Sequence, residues 1–434
     1  MNLETQHKTR SPWTWVPTLY FAEGLPYVMV MTVSVIMYKR FGLSNTEIAL
    51  YTSWLYLPWV IKPFWSPFVD ILKTKRWWII AMQLLIGGGL AGVALTLPTP
   101  FYLQASLAFF WLLAFSSATH DIAADGFYML ALDDSQQSFF VGIRSTFYRL
   151  AMITGQGLLI ILAGFLEQST GKISLSWSIT FLVLSGLFIA FFVYHNFILP
   201  HPASDVERKG QTPQKILAEF GNTFASFFSK KGIILAIAFM FLYRLAEAML
   251  VKLASPFLID AREEGGLALS TQEVGFVYGT VGVIALTIGG IIGGIVASQK
   301  GLKFWLWPMA LAITLPNVAY VFLSMTQPDN IWWVNVAVAI EQFGYGFGFT
   351  AYMLYLIYFS EGEHKTAHYS ICTGFMALGM MLPGMAAGWI QEQLGYQNFF
   401  IFIMICTIPT LLLVPFMKID PEFGKKKIKD KTRN

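Results

Sequence analysis

The sequence predicts an all-α membrane protein of twelve transmembrane helices, arranged as two similar six-helix bundles. Three observations carry that expectation. Of 434 residues, 56% are hydrophobic and only 12% charged, with mean hydropathy +0.57. Apolar stretches long enough to cross a bilayer recur from Trp13 to Phe416. The second half repeats short motifs of the first half, in the same order.

The spans are expected at roughly 14–38, 46–69, 77–97, 101–131, 138–166, 174–198, 232–259, 271–298, 303–325, 331–359, 367–391 and 396–417. Each is read as helix, because lipid offers no hydrogen-bond partner to an exposed backbone. No small-residue cleavage pattern follows the first span, which is therefore expected to be retained. The odd-numbered connections hold four basic residues, Lys39, Arg40, Lys172 and Arg262. Most of the others lie in the amino-terminal arm, the even-numbered connections and the tail GKKKIKDKTRN. The positive-inside rule then places both termini in the cytoplasm.

The polar stretch HPASDVERKGQTPQK divides the chain. The expected organisation is a bundle at 1–198, a cytoplasmic loop at 199–231, a second bundle at 232–417 and a basic tail at 418–434. SNTEI (44–48) matches STQEV (270–274), each a Ser-x-x-Glu capping box at the start of a helix. YMLAL (128–132) matches YMLYL (352–356), AGFLEQ (163–168) matches AGWIQE (387–392), and LYFAEG (19–24) matches LYRLAEA (242–248). The offset is close to 224 residues throughout. Six spans per repeat is an even number, so both halves enter the membrane in one direction. Parallel repeats of this kind describe the major facilitator fold, in which substrate binds near the midplane between the halves. The glycine-rich stretch TIGGIIGG (287–294) suits close helix packing.

Charges inside spans are expensive and usually face a cavity or a partner. Asp121 and Asp125 are four residues apart, on one face of the fourth span, with His120 turned about 100° away. Arg149 in the fifth span is their expected partner. Arg244 and Glu247 form an i,i+3 pair in the seventh span, and Glu23 and Glu341 stand in the first and tenth. Tyr20 and Tyr27 flank Glu23. Together these residues are candidates for a polar cavity that binds substrate and a coupling proton. Arginine suits a carboxylate or phosphate, and a carboxylate in a dry site can carry a proton. Lys62 and Lys252 are expected to snorkel toward the membrane edges. In KPFWSPFVDILKTKRW (62–77), Lys62, Asp70, Lys73 and Arg76 are candidates for a cytoplasmic gate, closed by bonds to neighbouring helix ends.

These residues also resemble a family. FAEGLP (21–26), KPFWSPFVD (62–70), FSSATHDIAADGF (115–127), YRLAM (148–152), LYRLAEA (242–248), EVG (273–275), EQFGYGFG (341–348) and PGMAAGW (383–389) are similar to AmpG-type muropeptide permeases of the major facilitator superfamily, a group related to acetyl-CoA transporters. The resemblance covers both halves in order. It implies proton-driven import of anhydromuropeptides (GlcNAc-anhydroMurNAc bearing peptide) across a bacterial inner membrane, for cell-wall recycling. It carries over Lys62, Asp70, Asp121, Asp125, Arg149, Glu247, where the family has aspartate, and Glu341. Glu23 departs from the family, standing where a small polar residue is expected, and His120 stands where glutamine is expected.

The rival readings are uptake of another oligosaccharide or sugar acid, a polytopic transferase, and a nontransporting sensor. The transferase lacks support from any P-loop or HExxH motif, and the sensor from any output domain. EHKTAH (363–368) reads as a solvated turn, and Cys372 and Cys406 as buried small hydrophobes. The expectation is a transporter rather than an enzyme, and a monomer in the bilayer. It takes a glycan or glycopeptide substrate, uses the proton as coupling ion with no cofactor or metal, and has no nucleic-acid partner.

Overall fold

The computed structural model describes residues 10–206, 213–362 and 364–425. The side chains of Pro67, Asp70, Ile71, Asp134, Ser138 and residues 213–220 lie outside the described part. Among the described residues every regular element is helical. Nine stretches are long and apolar enough to cross a membrane, from Pro12–Arg40 to Lys365–Phe416. The last is bent where Gly395 takes a φ of 71°. It covers the segments expected at 367–391 and 396–417. The segment expected at 46–69 is two helices, Asn45–Trp54 and Leu57–Leu72. The segment expected at 331–359 is one helix, Ile331–Ser360.

Local chemistry places the helix starts. Ser44 and Ser270 each accept from the amide three residues on, and Glu47 and Glu273 reach back to the serine amides. Both halves of the repeat therefore form the capping box that the sequence spells. Three spans carry a π-helical turn: Met29–Val33, Thr154–Leu158 and Gly275–Gly282. Such turns interrupt the regular ladder and recur at functional sites.

The residues form two compact units. The first comprises Met1–Val30, Phe64–Gly155 and Phe165–Pro213. Its core gathers Trp15, Leu19, Tyr20, Ile79, Ala123, Phe127 and Phe140. The second comprises Met31–Pro63, Gln156–Gly164 and Gln214–Asn434, with a core around Phe239, Met309, Tyr352, Leu356 and Cys372.

Glycine brings helix backbones together within the second unit. A Cβ on Gly279 would lie 1.7 Å from the Gln156 carbonyl oxygen, and one on Gly164 would lie 2.4 Å from the Gln272 amide nitrogen. The helix Val283–Lys300 shows the same logic. Gly289 and Gly293 face the backbone of Phe343 and Phe347. Ile284, Ile288, Ile291 and Ile295, on the other side, are exposed. One face is narrow enough for a neighbouring helix and the other suits lipid tails.

Candidate functional site

The first unit assembles a polar wall from three helices. Val16–Val28 brings Tyr20 and Glu23, Tyr102–Ala131 brings Asp121, Asp125 and Tyr128, and Asp134–Ile153 brings Arg144 and Tyr148. Arg144 Nη2 lies 2.7 Å from Asp125 Oδ1, in a salt bridge. The Arg144 guanidinium sits over Tyr20 at 4.4 Å from the ring centre and over Tyr128 at 5.1 Å. The Tyr20 hydroxyl donates to Asp125 Oδ1 at 3.3 Å. Glu23 is buried and faces Asp121, Asp125 and Arg144. Tyr148 faces Tyr27, Glu23 and both aspartates. The expected grouping of Tyr20, Glu23, Tyr27, Asp121 and Asp125 is thus present in the geometry.

The expected basic partner is corrected. Arg149 makes no ion pair among the described residues, and the salt bridge to Asp125 comes from Arg144, five residues earlier. Five residues on a helix is about 500°, a turn and a half less about 40°, so the two arginines point in different directions. A second basic side chain also approaches: a Cβ on Gly126 would lie 2.8 Å from Lys75 Cε.

His120 belongs to a different network behind this wall. Its Nε2 lies 3.1 Å from Gln83 Nε2, and Gln83 Oε1 is 3.0 Å from His195 Nδ1. His195 Nε2 lies 2.9 Å from the Thr18 hydroxyl. Gln83, His120 and His195 are all buried. A glutamine bonded by both ends to two imidazoles locks their ring orientations.

The second unit holds the other candidate charges. The helix is interrupted at Tyr243 and Arg244, and Arg244 leads into Leu245–Ile259 with φ −113° and ψ 12°. The expected Arg244–Glu247 pair is not hydrogen-bonded. Arg244 Nη2 donates to the Tyr345 hydroxyl at 2.5 Å, and its guanidinium lies 4.8 Å from the Phe349 ring centre. Both Glu247 carboxylate oxygens are buried and accept no hydrogen bond among the described residues. Glu341 is buried as well and accepts from Gln342 Nε2 at 3.0 Å. Glu247 and Glu341 are electrostatic neighbours, flanked by Tyr278 and Tyr320.

Lys252 does not snorkel. It is buried, donates to the Thr52 hydroxyl at 2.9 Å and lies 5.5 Å from the Tyr56 ring centre. The reading of EHKTAH as a solvated turn is also corrected at His368. That side chain is buried against Phe227, with Nε2 2.9 Å from the Ser226 hydroxyl. Glu363 lies outside the described residues. Among the described residues no cluster of three or more His, Cys, Asp or Glu side chains has metal-binding geometry.

Of the gate candidates, Arg76 is held within the first unit. It donates through Nη2 to the Asn196 carbonyl at 2.5 Å, and Asp205 caps its helix by accepting from the Lys75 and Arg76 amides at 2.7 and 3.0 Å. Lys73 is exposed and Lys62 half-buried, while the Asp70 side chain lies outside the described part.

A polar cluster that sequence reasoning missed joins segments of the second unit. Lys39 Nζ meets Asp260 Oδ1 at 2.5 Å and donates to Asn45 Oδ1 at 2.9 Å. Asn45 Nδ2 donates to Gln391 Oε1 at 2.7 Å, and the Tyr396 hydroxyl donates to Asp260 Oδ2 at 2.6 Å. Glu392 accepts from the amide and hydroxyl of Thr46 at 2.9 and 2.6 Å. The signal available in the sequence was Lys39 and Asp260, each at the end of an apolar run.

Relatives and solved structures agree with this architecture. The anhydromuropeptide permease of Escherichia coli K12 is 26% identical over 409 residues, covering 91% of this chain and 77% of that one. An AmpG-named transporter of Rickettsia conorii is 27% identical over 417 residues, covering 92% and 94%. The crystal structure of the D-xylose-proton symporter superposes with a TM-score of 0.69 at 13% identity, covering 96% of this chain and 99% of that one. A nucleoside transporter NupG variant superposes with a TM-score of 0.71 at 14% identity, covering 93% and 99%. The model of the Major Facilitator Superfamily matches residues 18–364, and this multi-pass membrane transporter belongs to that superfamily.

Proposed function

We propose that the chain imports anhydromuropeptides across a bacterial inner membrane, driven by protons and working by alternating access. It does so as a monomer of twelve spans, in bundles at 1–198 and 232–417, with both termini in the cytoplasm and no cofactor beyond the coupling proton. The observation that carries this reading is the polar wall in which Tyr20 and the buried Glu23 adjoin Asp121, Asp125 and Arg144. Aromatic faces suit sugar rings, the arginine suits an acid group, and the crowded carboxylates suit a transferable proton. The name of the E. coli relative supports the substrate class. Protonating a carboxylate of the wall weakens its hold on arginine, and so shifts the balance between conformations.

The test is uptake of labelled GlcNAc-anhydroMurNAc-peptide into proteoliposomes, with and without an inward proton gradient. Accumulation that follows the gradient supports both substrate and coupling. If Asp121→Asn and Asp125→Asn both leave uphill uptake intact, coupling does not run through this wall. If folded protein accumulates nothing, the muropeptide reading fails and other oligosaccharides and sugar acids are screened by thermal shift.

A further inference from the structure

The wall contains more donors than it uses. Arg144 engages one N–H group with Asp125, and its other N–H groups donate to no described residue. A guanidinium carries five donors in a rigid fork. The side chains of Arg144 and Asp125 keep 28% and 41% of their surface exposed, although both stand on helices built to cross the membrane. Arg144 lies inside the stretch Ser135–Thr170, which is long and apolar enough to cross the membrane. A partly exposed ion pair on membrane-spanning helices is better placed facing a cavity than facing lipid.

The charge balance of the wall restricts what can enter. Glu23, Asp121 and Asp125 surround one arginine, with Tyr20, Tyr128 and Tyr148 as the other titratable neighbours and the Lys75 stem against Gly126. A further carboxylate arriving alone would add a negative charge to a site already rich in them, at low effective dielectric. Arriving with a proton, it would leave the charge unchanged.

We propose that Arg144 is the receptor for a carboxylate of the substrate, and that Asp125 holds that place in the empty transporter. The incoming carboxylate takes the guanidinium fork, the bond from Arg144 to Asp125 breaks, and Asp125 takes up one proton from water. One proton therefore enters for each carboxylate engaged, which deepens and rests on the reading of the protein as a proton-coupled muropeptide importer. Arg144 sets specificity for substrates that bear a free carboxylate over neutral ones, and Asp125 ties that specificity to the proton.

The experiment is calorimetric binding to purified full-length protein at neutral pH in buffers of different ionisation enthalpy. The probes are GlcNAc-anhydroMurNAc-peptide, its methyl ester and N,N′-diacetylchitobiose. The acid is expected to bind at least tenfold more tightly than the ester, with uptake of about one proton. Arg144→Gln should bring the acid-to-ester ratio close to one. Arg144→Lys, which keeps the charge and loses the fork, should give an intermediate ratio and serves if the glutamine variant does not fold. Asp125→Asn should bind the acid at least as tightly as the unaltered protein, without proton uptake. Equal binding of acid and ester by the unaltered protein overturns the inference and leaves the muropeptide reading standing. So does a full ratio in both Arg144 variants, or proton uptake that persists in Asp125→Asn. Binding of none of the three probes overturns both.

Discussion

Replacing Asp260 by asparagine should loosen the end of the second unit where residues 31–63 meet the later helices. Asp260 is the hub there: Oδ1 meets Lys39 at 2.5 Å and Oδ2 accepts from Tyr396 at 2.6 Å. The Lys39 and Asp260 side chains keep only 12% and 8% of their surface exposed. Breaking a buried pair by removing one partner costs about 3–5 kcal/mol, because the other charge is left without compensation. Lys39 keeps Asn45 Oδ1 at 2.9 Å, so the lower end, about 3 kcal/mol, applies. That is a factor of about 150 in an equilibrium between closed and open forms of this end. The assay is maleimide labelling of Ala49→Cys, a fully buried position on the Asn45–Trp54 helix, after Cys372 and Cys406 have been replaced by alanine. Labelling in Asp260→Asn should rise by about two orders of magnitude. The exchange Lys39→Asp with Asp260→Lys should bring it most of the way back. Unchanged labelling together with an unchanged melting temperature would refute the claim that this pair holds the end shut.

Four further outcomes follow from the packing. Gly279→Ala should lower the melting temperature in detergent, since its Cβ would lie 1.7 Å from the Gln156 carbonyl oxygen and overpacking costs about 1–3 kcal/mol. Gly294→Ala, with nothing within 4 Å, should be neutral or stabilising by up to about 1 kcal/mol. Gln83→Leu strips a bonding partner from both His120 and His195, and should cost about 1–3 kcal/mol for each buried group left unsatisfied, seen as a loss of folded yield and melting temperature. Asp205→Ala removes the acceptor of the Lys75 and Arg76 amides. It should cost about 1 kcal/mol, typical of a lost helix cap, and speed hydrogen exchange at those two amides.

The helices were legible because lipid imposes a length and a hydropathy on each of them. The capping boxes at Ser44 and Ser270 were legible because three residues within one turn carry the whole signal. The face of Asp121 and Asp125 was legible for the same local reason. Properties that depend on distant segments were harder to read. Lys252 looked like a snorkelling side chain, because its partner Thr52 lies 200 residues away. The Lys39–Asp260 cluster draws on four stretches of chain, and none of them is unusual alone.

The choice between Arg144 and Arg149 shows where local pattern stops being informative. Both stand in the same span, and the motif YRLAM drew attention to the second. A helix turns about 100° per residue, so five residues separate their directions by about 140°. Only one of them can face Asp125, and the sequence does not state the rotation of one helix about its axis relative to the next. Packing supplies that information. A Cβ on Gly24 would lie 2.9 Å from the Ala151 Cβ and 3.0 Å from the Tyr148 carbonyl oxygen, and one on Gly155 would lie 2.6 Å from Val28 Cγ1. These close contacts press the face bearing Tyr148, Ala151 and Gly155 against the first helix. Arg144 lies seven and eleven residues before the last two, which is nearly whole turns, so it shares their face. Arg149 lies two residues before Ala151, about 200° around the helix. Glycines at a helix contact thus decide which of two neighbouring charges reaches Asp125, and substituting Gly24 should disturb the Arg144–Asp125 bond without touching either residue.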